Sequence, residues 1–196
     1  IPGAKNEFLI KVWNQLSNAY FSKYQIQQLS DQAKTIASSE GKTSILIKSR
    51  KNLIEIFIFT PNQPGLFFKT VQSFEHLSIE TIDSDIHTTD DGLYALNTFI
   101  CRHKILGGNL IQRDIQNIQK KIIAAIDSEN PKSVTKAKPK TKKVFEYQTK
   151  VHITDSSIKN ISLITLETLD KPNLLSEVAK IFLDHGVSID SARITT

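Results

Sequence analysis

Two four-residue stretches, Asn62-Gln63-Pro64-Gly65 and Asp170-Lys171-Pro172-Asn173, bring together the residue types and the setting needed to hold a carboxylate. Each lies between an apolar strand-like run and an amphipathic helical run. Each therefore falls where a helix N-terminus offers unpaired backbone N–H groups and a partial positive charge. Such a turn can receive a carboxylate on backbone donors alone. Gly65 permits close backbone approach, and Asn173, at the equivalent position, is the non-glycine residue best suited to positive φ. A tight strand-to-helix connection favours Pro, Gly and Asn for its own geometry, so the same residues also fit a turn that holds nothing.

Other clusters are weaker. Asp83, Asp85 and His87 alternate along one strand face, a spacing that suits a metal ion and equally a salt-bridged or solvated face. Cys101 and His103 also share a face, but a nucleophile–base pair needs an orienting third group and a pocket, and the sequence shows neither. No GxxxxGK[ST], GxGxxG, HExxH or GxSxG pattern occurs. Neither catalysis nor a metal or other cofactor is expected within this chain.

The two turns belong to a repeat. Residues 56–88 read IFIFTPNQPGLFFKTVQSFEHLSIETIDSDIHT, and residues 164–196 read ITLETLDKPNLLSEVAKIFLDHGVSIDSARITT, at an offset of 108 with no gap. Pro64/Pro172, Thr60/Thr168, Leu66/Leu174, Phe74/Phe182 and Ile86/Ile194 coincide. A self-similar unit of strand, turn, helix and strand sets the architecture.

Upstream, Leu9, Val12, Trp13, Leu16 and Tyr20 form one stripe of a helix over residues 6–20. Ile26, Leu29, Ala33 and Ile36 mark a second helix, stopped by Gly41. This pair reads as the tail of a larger helical domain. Strands are predicted over 44–48 and 53–60, a helix over 66–77, and strands over 79–89 and 93–102 joined by Asp90-Asp91-Gly92. A helix follows through Ile111, Ile115, Ile118, Ile122 and Ile126, and a strand over 144–154 is expected to close the unit. The order β-α-β-β-α-β is the ferredoxin-like arrangement, an α+β fold. The expected organisation is a helical segment (1–41), a first ferredoxin-like unit (44–154, with a linker at 130–143), and the βαβ first half of a second unit (161–196). Half a unit leaves a strand edge unpaired.

The net charge of +5 is local, because residues 131–143 hold Lys132, Lys136, Lys138, Lys140, Lys142 and Lys143 without an acid, and the rest of the chain carries −1. Interleaved with Pro and Thr, this tract reads as a solvated linker rather than a nucleic-acid site. The strand Leu93-Tyr94-Ala95-Leu96-Asn97-Thr98-Phe99-Ile100 lacks the basic residue, glycines and spaced aromatics of an RNA-recognition strand. No apolar run reaches the length of a membrane span. Cys101 is the sole cysteine, which fits a reducing, cytoplasmic setting. The chain opens Ile1-Pro2-Gly3 with no methionine and is expected to be a fragment.

The motifs TPNQPGLF with DSDIHTTDDGLYALNTF, and LDKPNLLSEVAKIF with GVSIDSARITT, resemble ACT domains, small βαββαβ modules that bind amino acids and regulate the enzymes carrying them. Together they resemble the C-terminal tandem ACT region of the bifunctional PII uridylyltransferase/uridylyl-removing enzymes. Val12-Trp13 and Asn18-Ala19-Tyr20-Phe21 resemble the segment joining that family's HD hydrolase domain to its first ACT unit. The resemblance implies a bacterial, cytoplasmic nitrogen sensor. In that family a nucleotidyltransferase domain uses UTP and magnesium to modify the PII signal protein, an HD domain reverses the modification, and glutamine sensed by the ACT units sets the balance. Neither catalytic domain lies in this chain. The positions that carry over are Asn62, Gln63, Pro64 and Gly65, with Asp170, Lys171, Pro172 and Asn173. Three residues depart from the family pattern: Asn62 stands for an Asp, Asn173 for a Gly, and Gln32 for a His. The competing expectation is a structural role, with self-association through sheet edges and an open outer face bearing Phe57 and Phe59.

Overall fold

A computed structural model of the chain describes residues 3–128, 148–156, 161–169, 171, 173–187, 189 and 192–195. The lysine-rich linker at 130–143 lies outside them. The elements are α1 (Gly3–Trp13), α2 (Asn18–Lys23), α3 (Ile26–Ser39), β1 (Ser44–Arg50), β2 (Leu53–Pro61), α4 (Leu66–His76), β3 (Ile79–Thr88), β4 (Tyr94–His103), α5 (Gln112–Ile126), β5 (Lys150–Ser156), β6 (Ile161–Glu167), α6 (Leu174–Asp184) and β7 (Arg193–Thr195). They form two compact units: Ile1–Lys132 with Leu175–Thr196, and Ser133–Leu174.

The larger unit is built on a five-stranded antiparallel sheet in the order β1-β2-β4-β3-β7. The order β2-β4-β3 with α4 and α5 is the ferredoxin-like core. The strand that flanks β2 is β1, which arrives by a hairpin from upstream and pairs from Ser44↔Phe59 to Arg50↔Leu53. The strand expected to fill that place from residues 144–154 behaves otherwise: its described part, β5, pairs with β6. A hairpin partner only a few residues away closes with little chain entropy, whereas a partner beyond a long linker does not.

Helices cover both faces of this sheet. On one, Ile54, Ile56, Ile58, Ala95, Phe99 and Cys101 pack with Phe74 of α4 and with Ile118, Ile122 and Ile126 of α5. On the other, Phe57, Phe59 and Leu96 pack with Leu9, Val12, Tyr20, Ile36 and Ala37 of the helical segment. Phe57 and Phe59 are 1% and 0% exposed, so the open outer face expected of them is instead the floor of a second core. The face an RNA-recognition fold would present is covered by the same helices. Residues 6–20 do not form one helix. Gln15 and Leu16 donate to the carbonyls three residues back, the Gln15 carbonyl accepts from Asp90 N–H, and Ser17 turns extended before α2.

In β3 one alternation does not run the whole length. A bulge between Thr81 and Asp83 leaves Ile82 unpaired with β4, so Ile79 before it and Ile86 after it both reach the α4–α5 core.

The smaller unit contains the β5–β6 hairpin, paired from Lys150↔Glu167 to Ser156↔Ile161. The Thr149 and Thr168 hydroxyls meet at 2.9 Å at its base.

Candidate functional site

The first turn leaves β2 at Pro61. Asn62 is fixed at once: its backbone N–H donates to Leu93 O at 2.8 Å, and its side-chain amide to Gly92 O at 3.0 Å, tying the turn to the β3–β4 hairpin. Gln63 reaches the other way, donating from Nε2 to Ile126 O at 3.1 Å. Lys69 joins it, with Nζ at 2.9 Å from Gln63 Oε1, 3.1 Å from Ile126 O and 2.7 Å from Ser128 O. A cation on the last carbonyls of α5 satisfies acceptors the helix leaves unpaired and meets the negative end of its dipole. The side chains of Asn62 and Gln63 thus serve the framework, and the turn presents its backbone.

Gly65 sits at φ 72°, and Leu66 N–H donates to Gln63 O at 3.2 Å. A Cβ on Gly65 would lie 3.0 Å from Cδ2 of Leu183, which seats α6 over the turn. Helix α4 starts there with no side-chain cap and no acid in its first turn.

Of the second turn, Lys171 and Asn173 are described, while Asp170 and Pro172 lie outside the described residues. Asn173 has φ 66°, and Leu174 N–H donates to Lys171 O at 3.1 Å. The sequence repeat is thus a backbone repeat: the same hydrogen bond, then the same left-handed residue, then a helix. Asparagine tolerates that conformation better than any residue but glycine.

The repeats also meet about a pseudo-two-fold axis. Strands β3 and β7 pair Asp83↔Thr195, Ser84↔Ile194 and Asp85↔Arg193. At the offset of 108, Arg193 is the equivalent of Asp85, Ile194 of Ile86 and Thr195 of His87. The register is therefore centred on Asp85 and its own counterpart, as in an isologous dimer interface. Helix α6 accordingly lies beside α4, where Ser176 Oγ donates to Glu75 Oε2 at 2.7 Å. The Ser176 backbone also bonds Glu75, whose carboxyl is pushed up by burial against the lowering effect of these bonds.

The strand-face cluster is committed elsewhere. Asp85 accepts from Lys23 Nζ at 2.6 Å and Tyr24 Oη at 2.9 Å, and its Oδ2 lies 2.8 Å from His87 Nε2. Burial raises the Asp85 carboxyl, but the bonds from His87, Lys23 and Tyr24 outweigh it and hold the group well below the usual carboxylate range. Tyr24 also donates to Thr98 at 3.0 Å, and the Tyr20 ring meets His87 edge-on at 4.9 Å. Asp85 and His87 thus fasten α2 to the sheet. Among the described residues, no group of three His, Cys, Asp or Glu side chains is placed to hold a metal. Cys101 is buried among core residues, and burial pushes its thiol up to about 12 against a bond to Thr81. His103 Nδ1 accepts from the backbone of Ile105 and Leu106, away from any nucleophile's role. Gln32, the departure in the helical segment, is 2% exposed and accepts from Tyr20 Oη at 2.9 Å.

Sequence reasoning missed Glu75, Ser176 and Lys69, whose partners, apart from Gln63 beside Lys69, are 57 to 101 residues away. The only local signal for Lys69 is a lysine inside an otherwise buried helical face.

Compared with known proteins, the chain is 26% identical over 191 residues to a bifunctional uridylyltransferase/uridylyl-removing enzyme of Vibrio campbellii, covering 94% of this chain and 22% of that protein. It is 25% identical to proteins of the same description from a Psychrobacter species, over 97% of this chain and 23% of that one, and from Acinetobacter baumannii, over 95% and 22%. The chain thus spans 22–23% of the length of these curated relatives. No family model and no solved structure matches it. Among the described residues, no helix is long and apolar enough to cross a membrane.

Proposed function

From a chain homologous over 94–97% of its length to a segment of bifunctional uridylyltransferase/uridylyl-removing enzymes, we propose that it is the glutamine-sensing ACT region of such an enzyme. The observation that carries this reading is the repeated turn. Two copies of one backbone geometry open two helices, related by a pseudo-two-fold strand pairing. Backbone N–H groups at a helix N-terminus suit the carboxylate of an amino acid, and a left-handed residue lets the ligand approach the main chain. The positions proposed to hold it are Asn62, Gln63, Pro64 and Gly65, with Asp170, Lys171, Pro172 and Asn173. Asn62 and Gln63 act by shaping the turn.

The chemistry belongs to the remainder of the cytoplasmic enzyme. A nucleotidyltransferase domain with UTP and magnesium would modify the PII signal protein, and an HD domain would remove the uridylyl group. Glutamine acts by population shift, stabilising one packing of the repeats and of α1–α3 against the sheet.

Calorimetric titration of the 196-residue chain with glutamine, glutamate and asparagine tests the ligand. Assay of both activities of the whole enzyme with and without glutamine tests the coupling. Selective glutamine binding, with opposite effects on the two activities, is expected. Absence of binding together with glutamine-independent activities would sink the reading.

A further inference from the structure

We propose that the Glu75 carboxylate is a built-in occupant of the α6 N-terminus, which makes the two repeat turns unequal and leaves the first as the one a free amino-acid carboxylate can enter, by displacing the end of the Leu183 side chain. The inference rests on the ligand reading above and adds to it which turn responds.

Ser176 is the third residue of α6, where helix N–H groups have no partner within the helix. Its hydroxyl donates to Glu75 Oε2 at 2.7 Å, and its backbone bonds the same carboxylate. Ser176 is 0% exposed and Glu75 half-buried, so these bonds are partly shielded from water. An anion held there also gains from the positive end of the α6 dipole. A carboxylate receiving a hydroxyl and a backbone bond at a helix start is the arrangement a ligand carboxylate would adopt.

The pseudo-two-fold axis supplies the control. The counterpart of Glu75 is Leu183, and the counterpart of Ser176 is Phe68. Where Glu75 meets the start of α6, Leu183 meets the start of α4, with Cδ2 placed 3.0 Å from the Cβ that Gly65 lacks. Leu183 cannot accept a hydrogen bond, and α4 has neither an acid in its first turn nor a side-chain cap. One helix start is thus filled by a hydrogen-bonded carboxylate of the chain itself, while over the other lies only the flexible end of a leucine side chain, which makes no hydrogen bond that a ligand would have to break. A carboxylate already fixed in the fold competes without the loss of translational and rotational freedom that a free amino acid pays on binding.

The test is amide-resolved NMR of the 196-residue chain. The Ser176 and Leu175 amides are followed from pH 3 to 8 in the wild type and in Glu75→Gln, and glutamine is then titrated into the wild type and Glu75→Ala. The proposal expects the Ser176 amide to report a carboxyl titration with a midpoint above the usual glutamate range that disappears in Glu75→Gln, while any contribution from the neighbouring Glu177 or from His76 remains. Glutamine should shift the amides around Gly65 alone in the wild type. In Glu75→Ala it should shift those of Leu175 and Ser176 as well, with stoichiometry rising from one to two. A Ser176 amide that titrates identically in wild type and Glu75→Gln overturns the proposal, as does glutamine acting at α6 in the wild type. If glutamine shifts neither turn in any variant, the ligand reading fails, while the Ser176 titration still decides the place of Glu75. Ser176→Ala, which keeps the backbone donor and removes the hydroxyl, provides a second variant in which the titration should survive with a shifted midpoint.

Discussion

Replacing Gly65 separates the two reasons the structure gives for a glycine there. With φ at 72° the residue is left-handed, which costs an alanine about 1–2 kcal/mol. The added Cβ would also sit 3.0 and 3.1 Å from the δ-carbons of Leu183, and turning that leucine away costs about 0.5–1.5 kcal/mol. Gly65→Ala should therefore lose ~1.5–3.5 kcal/mol, the sum of those two terms. Gly65→Asn, which copies the residue of the second turn, meets the same leucine but tolerates the conformation, and should lose about 1 kcal/mol less. In a Leu183→Ala background only the backbone cost remains, so the two substitutions should couple by ~0.5–1.5 kcal/mol. Urea unfolding followed by the fluorescence of Trp13, the sole tryptophan, reads this as a change of midpoint at constant slope. Equal losses for Gly65→Ala in both backgrounds would refute the seating of α6 on the turn. Equal losses for Ala and Asn would refute the backbone argument.

The clasp between α2 and β3 predicts a pH dependence. The folded-state carboxyl of Asp85 is depressed, so its stabilisation is fully present above the unfolded value near pH 4 and fades as pH falls below it. Asp85→Asn should cost about 1–3 kcal/mol at pH 7, and its unfolding midpoint should converge on the wild type's on acidification; parallel curves from pH 7 to 2 would contradict the assignment. Tyr20→Phe and Gln32→Leu should each cost about 1–3 kcal/mol by stranding the other's buried polar group, while the double variant costs less than their sum; strict additivity would exclude the pairing. Cys101, buried with its thiol pushed up to about 12, should resist iodoacetamide at pH 8 until urea unfolds the chain, and alkylation of the native protein at the rate of a free thiol would count against its burial.

What the sequence made legible was local. Pro, Gly and Asn in fixed order marked both turns, and the prediction that Asn173 could stand in for a glycine rests on the same conformational argument its φ of 66° satisfies. The apolar stripe of residues 26–36 became α3 with Ile36 fully buried. The fourth strand was misplaced because the repeat was traced only from residue 56. Lys51-Asn52 recurs as Lys159-Asn160 at the same offset, a sign that the repeated unit begins one strand earlier and that β5 opens a second unit rather than closing the first. The burial of Phe57 and Phe59 also had a signal, since Ile-Phe-Ile-Phe is apolar at every position and such a strand is covered on both faces. His87, two residues from Asp85 on the same strand face, was legible as its partner, but the distant partners of Asp85 and Glu75 had no such signal. Lys23 and Ser176 are 62 and 101 residues away, and only the packed sheet and helices bring them together.

Asp85 joins the two halves of the regulatory argument. Its backbone lies at the centre of the β3–β7 pairing, opposite its own counterpart Arg193. Its carboxylate holds Lys23 of α2 and Tyr24, the residue that follows the helix, on the far face of the sheet from α4. On the proposed reading, a ligand that shifted α6 against α4 would act on this strand pair, because β7 follows α6 in the chain. The Asp85 side chain accepts from Lys23 at the end of α2 and from Tyr24 next to it, so a shift in β3 would reach the helical segment without an intervening loop. A symmetric pair of occupied turns would leave the axis balanced. With Glu75 filling one helix start and the movable Leu183 side chain over the other, a carboxylate entering the first turn, as proposed, would act on one side of the axis alone. On the proposed ligand reading, unequal repeats on a two-fold pairing would turn binding into a directed displacement of β3 and, through Asp85, of α2.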